Sequence, residues 1–244
     1  MIEVFDLRKQ YDDTLAVDGL SFTVQPGEVL GLVGPNGAGK TTTLRCIAGI
    51  LQPTSGGVRV AGADVGRVPV VAKRSLAFVP DEPRLFDYLS VREHMRFYGR
   101  VFGVAGIEAR MAALVAEFEL ADKVDALPGA LSRGMKQKVA IACALLHSPR
   151  AIMFDEPLTG LDPVAIRRIK QTIRRVAAQG AAVIISSHLL NLVEEIATSL
   201  LLMQNGRKVL HGSLADIKAA DLSGGGLEGI FLRATGHEQP EAPA

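Results

Sequence analysis

An α/β fold built on a mostly parallel sheet is what this 244-residue sequence predicts, on three observations. Aliphatic runs of strand length recur along it, separated by longer stretches with helical spacing; that alternation builds a parallel sheet covered by helices. Hydrophobic residues make up 48% of the chain, yet aromatics only 5%, with no Trp. Strands buried on both faces have this aliphatic character. One such run, Val29-Leu30-Gly31-Leu32-Val33, leads directly into the glycine-rich stretch Gly34-Pro35-Asn36-Gly37-Ala38-Gly39-Lys40-Thr41, and a helical segment from Thr42 to Ala48 follows.

The elements read as follows. Residues 2–7 and 20–25 alternate as short strands, with turn signals at Asp12-Asp13 and Asp18-Gly19. Val58 to Ala61, before Gly62, reads as another, and together these predict a small antiparallel layer. Leu76 to Val79 is a buried-type strand ended by Pro80. From about Val91 to Leu127 the pattern is helical, with Met111, Leu114, Val115 and Phe118 on one face. A further helix runs from Leu131 to Leu146 with Ser132 as its N-cap. Ala151 to Asp155 is a strand, and Pro163 to Ala178 an amphipathic helix stopped by Gly180. Ala182 to Ser186 is a strand, 189–197 a helix, and Leu200 to Met203 a strand before the Asn205-Gly206 turn. The sequence predicts an ordered domain over 1–222, containing a helical insert at about 86–148, and a flexible tail over 223–244.

The glycine stretch matches G-x-x-x-x-G-K-[ST], a loop that cradles phosphates. Its glycines let backbone N–H groups turn inward, and the following helix presents its positive end to the anion. Lys40 would reach the β- and γ-phosphates, and the Thr41 hydroxyl would hold Mg²⁺. Phosphoryl chemistry also needs an acid to hold the metal and a group to activate water. Asp155 and Glu156, at the C-terminal end of a predicted strand, supply both: Asp155 for the metal, Glu156 as general base. Ligands of open α/β sheets bind beyond that end of the strands.

Charge and composition exclude other classes. The 27 basic and 26 acidic residues leave a net charge of +1, so no global field favours nucleic acid. The basic helix face at Arg167, Arg168, Lys170, Arg174 and Arg175 reads as a solvated surface. Cys46 and Cys143 lack metal-ligand spacing and read as reduced, buried thiols. Met1 to Asp6 carries acids where a signal peptide has bases, and no run of eighteen apolar residues occurs.

In order and spacing these segments resemble the nucleotide-binding domain of an ABC (ATP-binding cassette) ATPase. Leu131-Ser132-Arg133-Gly134-Met135 stands where that family has its signature, Leu158 to Asp162 resembles the D-loop, and Ser186-Ser187-His188 resembles the switch histidine. Tyr11 stands where the family places an aromatic that stacks on adenine. The resemblance spans about residues 2–215. It implies a RecA-like core and a helical insert carrying the signature. It implies ATP and Mg²⁺ as ligands, with Gly34 to Thr42, Tyr11, the Ser132–Met135 segment and Asp162 binding nucleotide and His188 sensing the γ-phosphate. It also implies two cassettes, a homodimer in the simplest case, pairing head to tail with ATP between them, and membrane-spanning permease subunits as partners. The implied location is cytoplasmic, peripheral on the inner face of the membrane.

Two positions depart from the family pattern. The signature reads Ser-Arg-Gly-Met, and Asp81 occupies the place of a Gln that links metal, water and membrane partner. Both departures resemble exporter-type (ABC-2) ATPases. A carboxylate at 81 suits Mg²⁺, with Glu82 in its place after a one-residue shift, or both acids as solvated loop residues, as the alternatives; Arg133 either adds a cation near the facing nucleotide or is a surface residue. Pro69 to Val71 and the loop from Asp81 to Tyr88 are where a partner's cytoplasmic helix is expected to dock. The alternatives are a non-transport ABC ATPase on ribosomes or DNA and a non-hydrolysing ATP-gated scaffold. The single cassette, the absence of a heptad run between Lys40 and Ser132, and the Asp155-Glu156 pair argue against them.

Overall fold

The computed structural model describes residues 1–220 and 226–235. Its strands are β1 (Ile2–Tyr11), β2 (Thr14–Val24), β3 (Val29–Val33), β4 (Ser55–Val60), β5 (Ala63–Asp64), β6 (Leu76–Val79), β7 (Ala151–Asp155), β8 (Ala182–Ser187), β9 (Ser199–Gln204) and β10 (Arg207–Ser213). Its helices are α1 (Lys40–Ile47), α2 (Pro69–Arg74), α3 (Val91–Val101), α4 (Ile107–Glu117), α5 (Arg133–Leu145), α6 (Pro163–Ala178), α7 (Leu190–Ile196), α8 (Leu214–Ala219) and α9 (Gly226–Thr235).

Two sheets form. The antiparallel layer expected from the N-terminal strands has the order β2-β1-β4-β5. The larger sheet has the order β10-β9-β3-β8-β7-β6, parallel except for β10. Placing β3 between β8 and β9 buries all five of its residues, which explains its unbroken apolar run.

Strand alternation divides the core in two. Ile152, Phe154, Val183 and Ile185 point to the layer formed with the helical insert. Ala151, Met153, Ala182 and Ile184 point the other way, toward α1 and the antiparallel sheet. The insert is fixed at α3 by Ser90, whose side chain accepts from the Glu93 N–H while the Glu93 carboxylate accepts from the Ser90 N–H, a reciprocal cap.

The expected elements appear, with differences at their edges. β1 and β2 extend to Tyr11 and Thr14 and turn at Asp12-Asp13 as expected, whereas Asp18-Gly19, expected as a turn, lies inside β2 where the pairing register shifts. β10 was not expected: Arg-Lys-Val-Leu-His-Gly-Ser is an exposed edge strand whose polar content hides its pairing with β9. The tail expected to be flexible from residue 223 instead includes α9, a correction for residues 226–235. Leu227 is buried there, and Ile230, Phe231 and Ala234 pack on a cluster with Val193 of α7 and Leu200 of β9. The apolar stripe of a short helix outweighs the glycines before it. Residues 223–225 and 236–244 of the expected tail lie outside the described part.

Both cysteines are buried, as expected. Burial pushes the Cys46 thiol up to about 11 and the Cys143 thiol up to about 12. At pH 8 the thiolate, which is the reactive species, is therefore scarce. The folded protein should not react with a thiol reagent at pH 8, whereas denaturation should release two reactive thiols, counted by absorbance. Ser90→Ala should remove the α3 cap at a cost of about 1 kcal/mol, seen as a melting point lower by roughly 2–4 °C.

Candidate functional site

The C-terminal ends of β3, β7 and β8 lie side by side, and the loop Gly34–Gly39 leaves the first of them. Two of its glycines are demanded by geometry. A Cβ on Gly34 would stand 2.2 Å from the Met203 carbonyl oxygen, and one on Gly39 would stand 2.4 Å from that of Ala16. Gly39 also has φ +98°, a left-handed conformation that only glycine takes without strain. Pro35, Asn36 and Gly37 form the exposed crown of the loop, with Ala38 buried beneath it.

Lys40 opens α1 and is 93% removed from solvent, since only 7% of it is exposed. Its Nζ donates to the carbonyl oxygens of Gly34 at 2.7 Å and Pro35 at 3.1 Å. Desolvation holds its pKa below the ordinary lysine value, opposed by the charges of Glu156 and Asp155. Thr41, the next residue, donates from Oγ1 to Asp155 Oδ1 at 3.2 Å. Thr42 follows, half-buried, in the same first turn.

Asp155 is the last residue of β7 and only 4% exposed. The same Oδ1 accepts from Ser186 Oγ at 2.6 Å. Glu156 follows in a left-handed conformation, φ 48°, which turns the chain out of the sheet. Its Oε2 lies 3.0 Å from His188 Nδ1 and accepts from Ser187 Oγ at 3.3 Å. Lys40, Thr41, Asp155, Glu156 and His188 are thus brought together as the spacing required.

The remaining residues fall into two groups. Ser132 caps α5, its Oγ accepting from the Met135 N–H at 3.2 Å, with Gly134 in the first turn. Tyr11 ends β1, 41% exposed, with the Lys9 ammonium 4.9 Å from its ring centroid. Neither joins the loop cluster within one chain. Asp162 is used differently. Its carboxylate caps α6, accepting from the N–H groups of Ala165 and Val164, and these bonds hold its pKa below the ordinary carboxylate value.

The two departures pair with one another. Arg133 Nη2 lies 2.9 Å from Asp81 Oδ1. Asp81 borders the same cleft as Thr41 and Asp155, but its charge faces the guanidinium. The expected metal ligand is therefore an ion-pair partner here, and the expected nucleotide-facing Arg133 turns back to its own chain. Sequence spacing could not show a contact across 52 residues. The hydroxyl contacts of Ser186 and Ser187 were also missed, although the parallel register of Asp155 with Ser186 is their signal.

A family model described as "ABC transporter" matches residues 17–159, more than half of the chain. The chain belongs to the ABC transporter family. It is an ATP-binding subunit of that family and an ATPase. It is 38% identical over 223 residues to the Nod factor export ATP-binding protein I of Paraburkholderia xenovorans, covering 91% of this chain and 73% of that one. It is 31% identical to the ABC-type transporter ATP-binding protein EcsA of Bacillus subtilis, over 98% of this chain and 99% of that one. A solved ATP-binding subunit of an ABC transporter superposes with a TM-score of 0.91 at 34% identity, covering 96% and 99% of the two chains. A solved dimeric cassette bound to ADP and Pi shares the fold at 23% identity, TM-score 0.80, over 87% and 98% of the two chains.

Lys40→Ala should weaken ATP binding about 10- to 100-fold, the worth of charged hydrogen bonds to phosphate, as read by calorimetry. Arg133→Ala should move the melting point by less than about 3 °C, because exposed ion pairs contribute little.

Proposed function

We propose that this chain is the ATP-hydrolysing subunit of an exporter, acting as a pair of cassettes beneath separate membrane-spanning subunits. One observation carries the hydrolytic reading: Glu156, beside the Lys40 loop and Asp155, has its carboxylate held by His188 at 3.0 Å and Ser187 at 3.3 Å. A carboxylate oriented in this way is placed to take a proton from an attacking water.

The chain's own groups divide the work. Lys40 exchanges the carbonyls of Gly34 and Pro35 for the β- and γ-phosphates of ATP. The Gly34–Thr42 turn supplies N–H donors, and Tyr11 offers an aromatic face to adenine. Glu156 accepts the proton of the attacking water, and His188 holds the carboxylate and meets the γ-phosphate. Ser132 and the Gly134 N–H, at the start of α5, close on the γ-phosphate of the opposite cassette in a head-to-tail homodimer. Mg²⁺ would be held by Thr41 Oγ1 and Asp155 and would neutralise charge on the β- and γ-oxygens. An oxygen-only donor pair suits that ion, and among the described residues no group of three or more His, Cys, Asp or Glu side chains could hold it alone.

The exporter reading rests on the names of the relatives and on the Ser-Arg-Gly-Met and Pro-Asp-Glu segments. No helix among the described residues is long and apolar enough to cross a membrane. A cleft of about 760 Å³ between β6 and the helical insert, lined by Phe78, Leu85, Tyr98 and Phe102, fits a partner's helix. Its surroundings carry exposed apolar groups, with Phe86 51% and Tyr88 91% exposed, and Val70 and Val71 on α2 also open. The reading places the chain peripherally, on the cytoplasmic face of the membrane.

Glu156→Gln should lower the hydrolysis rate by about 10²- to 10⁴-fold while ATP still binds and traps a dimer in size-exclusion chromatography. Hydrolysis at the wild-type rate would remove Glu156 as the base. Replacing Phe86 and Tyr88 together by Ala should abolish co-purification with the membrane subunits and leave ATP hydrolysis by the isolated chain intact. Undiminished co-purification would move the docking surface elsewhere.

A further inference from the structure

The two acids at the end of β7 lie beside two consecutive hydroxyls at the end of β8, and each acid takes one. Parallel register sets Asp155 against Ser186. Alternation then sends the Ser186 side chain to the α1 side of the sheet, with Asp155, and the Ser187 side chain to the opposite side. Both serines are buried, Ser186 at 0% and Ser187 at 5% exposure. A buried hydroxyl is held to its partner, because an unpaired one is costly.

The bonds differ in kind. Ser186 Oγ donates to Asp155 Oδ1 at 2.6 Å and accepts from the Glu156 N–H at 3.2 Å, so a single hydroxyl spans both acidic residues. The Ser186 carbonyl oxygen accepts from that same N–H at 3.2 Å, which holds Glu156 in its left-handed turn. Ser187 Oγ accepts from the Leu189 N–H at 3.0 Å, and its proton is thereby directed to Glu156 Oε2 at 3.3 Å. His188 Nδ1 approaches the same Oε2.

We infer that Ser186 and Ser187 are positioning residues with separate tasks in the proposed hydrolysis: Ser186 fixes the Asp155 carboxylate for the divalent cation, and Ser187 fixes the Glu156 carboxylate for water. The inference rests on the proposed ATPase site and adds to it. Ser186 shares Oδ1 with Thr41, the other oxygen offered to the metal, so its loss frees the carboxylate to rotate away from that partner. Ser187 reaches no atom of Asp155 or Thr41. Its loss leaves the metal-holding pair intact and releases only the base. Outer partners of this sort orient the groups that hold a metal, and their loss costs about 10- to 100-fold in metal affinity or activity.

The test compares Ser186→Ala, Ser187→Ala and Ser187→Thr in the full chain. Mn²⁺ binding is read by electron paramagnetic resonance in the presence of a non-hydrolysable ATP analogue, beside steady-state hydrolysis with Mg²⁺. Ser186→Ala should weaken Mn²⁺ binding about 10-fold, while binding of the analogue without metal stays unchanged. Ser187→Ala should leave Mn²⁺ affinity within about twofold and lower kcat about 10-fold at constant KM, the worth of one hydrogen bond. Ser187→Thr, which keeps the hydroxyl, should restore kcat. If Ser186→Ala does not fold, Ser186→Cys, near in shape but a weak donor, takes its place in the metal measurement. Unchanged Mn²⁺ affinity at position 186 overturns the inference, as does a kcat loss at 187 that Thr fails to restore. Wild-type protein that binds Mn²⁺ with the analogue but never hydrolyses ATP would sink the proposed activity alone, because the metal measurement needs no turnover.

Discussion

A carboxylate buried at the end of a strand must be satisfied by its neighbours, and Asp155 sets the terms for everything around it. At 4% exposure it has lost water on nearly every side. A lone buried charge is strongly unfavourable, so hydrogen bonds and a nearby cation must replace the solvent. Thr41 brings one hydroxyl from α1, Ser186 brings another from β8, and Lys40 brings charge from the same helix start. These contacts lock α1, β7 and β8 into one relative placement. That placement is the site. The glycine loop then has little freedom in its path, because it must run from the end of β3 to a helix whose first turn is already anchored to Asp155. The close approaches at Gly34 and Gly39 are the backbone's answer to that shortage of space.

Alternation along the strands gives the site two sides. Asp155 and Ser186 face α1 and the antiparallel layer, together with Met153 and Ile184. The chain turns at Glu156, and from there Ser187 and His188 hold the base on the other side. The Asp155–Thr41–Ser186 contacts thus belong to the layer that carries the glycine loop. The Glu156 carboxylate lies toward the layer shared with the helical insert, whose core includes Phe154 and Ile185.

Much of this was legible in the sequence because it is local. The Gly34–Thr41 stretch, the aliphatic strands, the Ser132 cap and the acids after Phe154 each announce themselves within a few residues. Long-range pairings are another matter. Nothing near Arg133 points to Asp81, and each was assigned by itself to nucleotide or metal before the fold brought them within 2.9 Å. Asp162 was read for its place in a motif, yet two backbone N–H groups of α6 claim its carboxylate first. The hidden edge strand β10 and the docked helix α9 fail to show for a related reason. Their stability comes from surfaces on β9 and α7 rather than from their own composition.

The Arg133–Asp81 pair also indicates how firmly the insert is held. It ties the first turn of α5 to the loop after β6, with side chains 50% and 43% exposed. A pair so open to water contributes on the order of 0–1 kcal/mol. Each charge-assisted contact to a phosphate is worth roughly 1.5–3 kcal/mol. Binding energy at the nucleotide is therefore ample to break this tie and reset the angle between insert and core. A buried pair in the same place would resist, since stripping one partner from a buried charge costs several kcal/mol. Asp81 also borders the cleft that reaches Thr41 and Asp155, so the tie between insert and core lies at the edge of the loop cluster.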